Sequence, residues 1–81
     1  MFLSNSKIKK KQIINFNLNG RYYKIYYFRK LTIQHLLNFF NFKLNLVVVE
    51  LNGKIIKKNF YKKVYLSNNS NIEVITIVGG G

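Results

Sequence analysis

The sequence predicts an α+β fold: a mixed β-sheet with one main helix packed across one face. Three observations carry that prediction. Two Asn-Gly pairs, Asn19-Gly20 and Asn52-Gly53, each sit between runs of strand-forming residues. A single amphipathic helical stripe lies between them, and a β-branched run from Ile72 to Val78 closes the chain ahead of three glycines.

Residues 1–11 carry Lys7, Lys9, Lys10 and Lys11 in a polar context without a clean period, which reads as a basic, flexible N-terminal arm. From Ile14 the pattern is regular. Ile14, Phe16 and Leu18 alternate with Asn15, Asn17 and Asn19, the period of a half-buried strand. Asn19-Gly20 supplies the φ > 0 pair that a type I′ hairpin turn needs. Arg21 to Phe28 returns as a second strand, with Tyr23, Ile25 and Tyr27 on one face and Tyr22, Lys24 and Tyr26 on the other.

Thr32 is the N-cap candidate of the helix. Behind it, Ile33, Leu36, Leu37 and Phe40 fall at i, i+3, i+4 and i+7. His35 lies off that stripe and reads as a solvent-facing helix residue. Val47, Val49 and Leu51 form the inward set of the next strand, with Val48 and Glu50 facing the other way. Ile55-Ile56 begins a short return strand after the second Asn-Gly. The stretch from Lys57 to Leu66 is irregular, with Phe60, Tyr61, Val64 and Leu66 as apolar anchors. Ser67 to Asn71 is a turn by composition, and Ile72 to Val78 is the last strand. This order gives a β-grasp (ubiquitin-like) arrangement over residues 12–78, with its last strand central and residues 79–81 as a flexible glycine tail.

Bulk composition excludes several functions. A chain of 81 residues makes one small domain, too small to enclose a substrate on all sides. It contains no cysteine, and His35, Glu50 and Glu73 are too few and too scattered for a metal cluster or a hydrolytic carboxylate pair. No apolar run approaches the roughly 20 residues of a membrane span, and no apolar h-region follows Met1. The expectation is a soluble, intracellular protein that is not an enzyme, with no catalytic residue, no metal and no bound cofactor of its own.

The formal charge of +12 invites a nucleic-acid reading. Yet Asn, Lys, Ile, Phe and Tyr, all residues of A/T-rich codons, dominate the chain, and proline is absent. Mutational bias in an A/T-rich genome, such as a plastid's, accounts for the lysines without selection for binding. The aromatics also alternate as core residues should, so a nucleic-acid partner is not expected. Composition places the protein in the plastid stroma or, failing that, in a bacterial-type cytoplasm.

The segment Val47-Val48-Val49-Glu50-Leu51-Asn52-Gly53-Lys54-Ile55-Ile56 resembles the strand–Asn-Gly–strand signature of ThiS-type sulfur carriers of thiamine biosynthesis. Ile72 to Ile75 followed by Val78-Gly79-Gly80-Gly81 resembles their closing strand and tail. Phe16 to Gly20 and Leu31 to Leu37 are similar to their opening hairpin turn and helix start. The resemblance spans about residues 13–81. Departures are Asn69-Ser70 where Gly-Asp is usual, Lys57-Lys58 where a Pro-Arg-like pair is common, and Tyr61 where a Trp often sits.

The resemblance implies a mechanism. An E1-like adenylating enzyme (ThiF-like), using ATP and Mg²⁺, activates the Gly81 carboxyl. A sulfur donor protein converts it to a thiocarboxylate, and thiazole synthase (ThiG-like) receives the sulfur. Gly79 and Gly80 thread the tail into both partners' active sites, since glycine can take backbone conformations closed to other residues. Glu50, Tyr61, Ile75 and Ile77 are the expected docking surface. The alternatives are a carrier like the small subunit of molybdopterin synthase and, in a different class, a basic nucleic-acid-binding module.

Overall fold

In a computed structural model, which describes residues 11–77, strands β1 (Gln12–Leu18) and β2 (Arg21–Tyr27) pair antiparallel with Leu18 opposite Arg21. Their turn has φ of 52° at Asn19 and 81° at Gly20, the left-handed pair of a type I′ turn. Strands β3 (Val47–Leu51) and β4 (Lys54–Ile56) repeat the device, with φ of 52° at Asn52 and 86° at Gly53. Most of residues 1–11 and all of 79–81, read above as arm and tail, lie outside the described residues.

The closing strand β5 (Ser70–Thr76) runs parallel to β1 and antiparallel to β3. The sheet order is β2-β1-β5-β3-β4, so the last strand is central as expected. The parallel β1–β5 ladder is short, from Phe16 opposite Ser70 to Leu18 opposite Ile72. The Asn19 side chain extends it by one rung: its Oδ1 accepts the Val74 N–H at 2.7 Å and its Nδ2 donates to the Val74 carbonyl at 3.2 Å. Asn52 grips the same strand from the other side. Its amide donates to the Asn71 carbonyl at 2.7 Å, and its Oδ1 accepts the Asn71 N–H at 2.8 Å.

Helix α1 (Ile33–Phe39) packs Ile33, Leu36 and Leu37 onto the inner sheet face. There they meet Ile14, Phe16, Leu18, Val49, Ile72 and Val74. Thr32 caps the helix as expected. His35 differs from its solvent-facing reading: it is half-buried, and its Nδ1 accepts the Thr32 N–H at 3.0 Å while Thr32 Oγ1 accepts the His35 N–H at 3.1 Å. This is a reciprocal capping box with His in the place normally taken by Glu or Gln. At the other end Asn41, at φ 61°, forms a Schellman turn, with Phe42 N–H bonded to the Leu37 carbonyl and Asn41 N–H to that of Asn38.

Replacing Asn19 by Ala strands the Val74 amide and carbonyl and forces a Cβ-bearing residue to hold a positive φ. We expect Asn19→Ala to lose about 2–3 kcal/mol. Asn19→Gly relieves the backbone part of that loss. Urea midpoints measured at constant slope would show the order wild type, Gly, Ala.

Candidate functional site

β5 ends at Thr76, and Ile77 N–H makes one further backbone bond, 2.6 Å to the Leu46 carbonyl, before the chain enters 78–81. The segment bearing Gly79, Gly80 and Gly81 follows this central strand in sequence. Its own geometry lies outside the described residues.

The face of the sheet opposite α1 is set by the period-two alternation of β3 and β5. Val49, Ile72 and Val74 point to the core, so Val48, Glu50, Glu73 and Ile75 point outward. Ile75 is paired with Val48, and Glu50 with Glu73. Ile55 on β4 stands opposite Glu50 and is well exposed. Ile75 and Ile77 are each about half exposed, with Leu46 beside the strand end. Of the predicted docking residues, Glu50, Ile75 and Ile77 thus share this face. Glu73, Val48 and Ile55 belong with them, and the alternation that exposed Glu50 was the signal that could have found them.

Tyr61 does not belong to that face. It is 2% exposed and sits in the core with Ile33, Leu66 and their neighbours. The cause is the strap from Tyr61 to Leu66. A 3-10 turn over Lys58–Phe60 leads into it. The Tyr61 carbonyl then accepts Gln34 N–H at 3.0 Å, the Val64 carbonyl accepts Ile33 N–H at 2.9 Å, and Leu66 N–H donates to Leu31 at 2.8 Å. These bonds satisfy the free amides of the helix's first turn and turn Tyr61 inward, while Phe60 is left at the surface. Burial pushes the Tyr61 phenol above its ordinary value.

The outer face holds two carboxylates facing one another on a chain with fourteen Lys and Arg. Like charges directly opposite on a sheet destabilise it modestly. Apolar side chains flank them. Among the described residues no cluster of three or more His, Cys, Asp or Glu could hold a metal, and no helix is long and apolar enough to cross a membrane. Such a surface offers shape, apolar area and charge, and the β3–β5 register brings together Glu50 and Glu73, which the sequence reading held too scattered to pair.

A five-stranded mixed sheet with a central closing strand and one helix across its inner face defines the ubiquitin-like, β-grasp fold. The family model of the ThiS family matches residues 16–81. The chain belongs to the ThiS family, and that membership supports a sulfur carrier of thiamine biosynthesis as its role. Its fold is similar to a thiamine biosynthesis protein (ThiS) of Geobacter metallireducens. The crystal structure of that protein superposes with a TM-score of 0.73 at 23% identity, over 84% of this chain and 100% of the other. An NMR structure from the same organism gives 0.70 at 23% identity, over 84% and 88% of the two chains. Among sequence relatives, the uncharacterized protein ycf40 of Trieres chinensis is 42% identical over 66 residues, 82% of this chain and 88% of the relative. The ycf40 protein of Pyropia yezoensis is 40% identical over 53 residues, 65% and 75% of the two chains.

The buried phenol yields a pH test. A tyrosine whose folded value is raised contributes stability that is complete below its unfolded value and is lost as pH rises towards the folded one. We expect Tyr61→Phe to flatten part of the wild-type loss of stability above about pH 10. Chemical denaturation of both proteins across the alkaline range would read this difference directly.

Proposed function

We propose that this chain carries sulfur as a thiocarboxylate on Gly81 and delivers it to thiazole synthase for the thiazole moiety of thiamine. The observation that carries the reading is the ThiS-family match, which runs from β1 through to Gly81 itself. A carboxylate is a poor electrophile, so activation comes first. An E1-like partner attacks the α-phosphorus of Mg-ATP with the Gly81 carboxylate, releasing pyrophosphate and forming an acyl-adenylate. The terminal sulfur of a donor persulfide then attacks the acyl carbon, and AMP leaves. A thiol opens the resulting acyl disulfide, which frees the thiocarboxylate and leaves a disulfide on the donor side. This chain has no cysteine, so that thiol belongs to a partner.

In this reading the protein is a co-substrate acted on by its partners, and ATP and Mg²⁺ belong to the activating enzyme. Gly79 and Gly80 present no side chain to the cleft walls and leave the acyl carbon accessible. The docking surface is the outer sheet face around Ile75 and Ile77, with Glu50 and Glu73 requiring a cation on the partner. Tyr61 is excluded by its burial. The A/T-biased composition and the ycf40 relatives in algae support a plastid location.

Incubation with a ThiF-like enzyme, Mg-ATP and a sulfur donor should add one oxygen-for-sulfur exchange to the intact mass, localised to the C-terminal peptide. Deletion of Gly81 should abolish the exchange and leave the thermal melt unchanged. An unmodified mass, with an enzyme proven on another carrier, would sink the reading. Separately, Ile75→Asp combined with Ile77→Asp should raise the KM of adenylation by about tenfold or more, as expected for a pair of buried interface anchors. A KM within about twofold of wild type would remove this face from the docking surface.

A further inference from the structure

The side of the molecule that carries α1 bears a second surface with its own chemistry. A cleft of about 490 Å³ is lined by Arg29, Lys30, Thr32, Gln34, His35, Lys62 and Tyr65. A groove of about 430 Å³ adjoins it through shared Arg29 and His35, and runs between β2 and α1 past Tyr26, Leu31 and Phe39. Both carboxylate side chains of the protein, Glu50 and Glu73, lie on the outer face of the sheet, so neither opposes these cations. The capping box also fixes the chemistry of His35. Its Nδ1 accepts the Thr32 N–H, so the neutral ring carries its proton on Nε2 and presents a donor.

Aromatic rings rim this surface. Phe39, in the groove, and Tyr65, in the cleft, are both more than half exposed, with Phe39 at 68%. Lys30 Nζ lies 5.9 Å from the ring centroid of Tyr65. The sequence set a nucleic-acid partner aside because codon bias accounts for the charge and because the aromatics alternate as core residues; Phe39 and Tyr65 are not in the core. The amides of the first helical turn are already bonded to Val64, Tyr61 and Thr32. Any anion is therefore held by side chains.

We propose that the continuous cleft and groove bind single-stranded nucleic acid, with Arg29, Lys30 and Lys62 on the phosphates and Phe39 and Tyr65 stacking bases. Cationic grooves interleaved with exposed rings are the means by which single strands are held without sequence preference. A free polyphosphate would use the cations and leave the rings idle, and a membrane would need no continuous groove.

The test is fluorescence anisotropy of the full chain with a labelled single-stranded RNA 15-mer of mixed sequence. With three phosphate contacts, affinity should fall roughly 20-fold between about 50 and about 200 mM salt. The variant R29Q/K30Q/K62Q should flatten the log–log salt slope by about 2. A control with equal charge removal elsewhere, K24Q/K43Q/K54Q, should leave the slope near wild type. Phe39→Ala with Tyr65→Ala should weaken binding about tenfold or more at fixed salt. Circular-dichroism melts would confirm that each variant is folded. Equal losses in the two charge variants, unchanged affinity without the rings, equal competition by inorganic tripolyphosphate, or binding to phosphatidylglycerol vesicles in preference to RNA would each overturn the proposal.

Discussion

The order of the sheet depends on the grip on β5. A central strand shares its backbone bonds with two neighbours, so freeing it breaks two ladders, whereas an edge strand frees itself by breaking one. The parallel ladder from β1 is only three residues long here, too short to fix the strand unaided. The two Asn-Gly turns make up the difference. Each needs a left-handed first residue, and Asn satisfies that need while its side chain reaches across to β5. Asn19 bonds Val74 and Asn52 bonds Asn71, one from each side. The chain turns and clamps its working strand with the same residue. Val78 to Gly81 therefore follow in sequence a strand held from both sides.

The legible part of the fold was its periodicity. Alternation at Ile14, Phe16 and Leu18, the helical stripe from Ile33, and the paired Asn-Gly signals all specify structure through neighbours close in sequence. That is why the hairpins, the helix and the central position of β5 emerge as expected. Tyr61 could not be placed in this way. Its burial depends on bonds between the 61–66 strap and the start of α1, nearly thirty residues earlier, and a 3-10 turn has no period long enough to read. His35 was misread for a narrower reason. A His at the third helical position can return a bond to the N-cap amide, as Glu or Gln does, but that pattern is a less familiar capping signal. The surface around Ile75, Glu73 included, was legible from alternation, whereas the direct pairing of Glu73 with Glu50 came only from the register between β3 and β5.

Composition and placement answer different questions about the charge. Mutational drift in an A/T-rich genome explains how many lysines and asparagines the chain has. It does not explain why the side chains of the asparagines at 19, 52 and 68 each bond backbone across the fold, or why the two acids share one rung of the sheet. If solvated positions drifted freely, acids would have no reason to meet on the outer face, where their mutual repulsion costs stability. That cost is repaired only when a cation is brought to them. The cationic cleft beside α1 has the opposite imbalance, donors without an acceptor, and the sheet stands between the two.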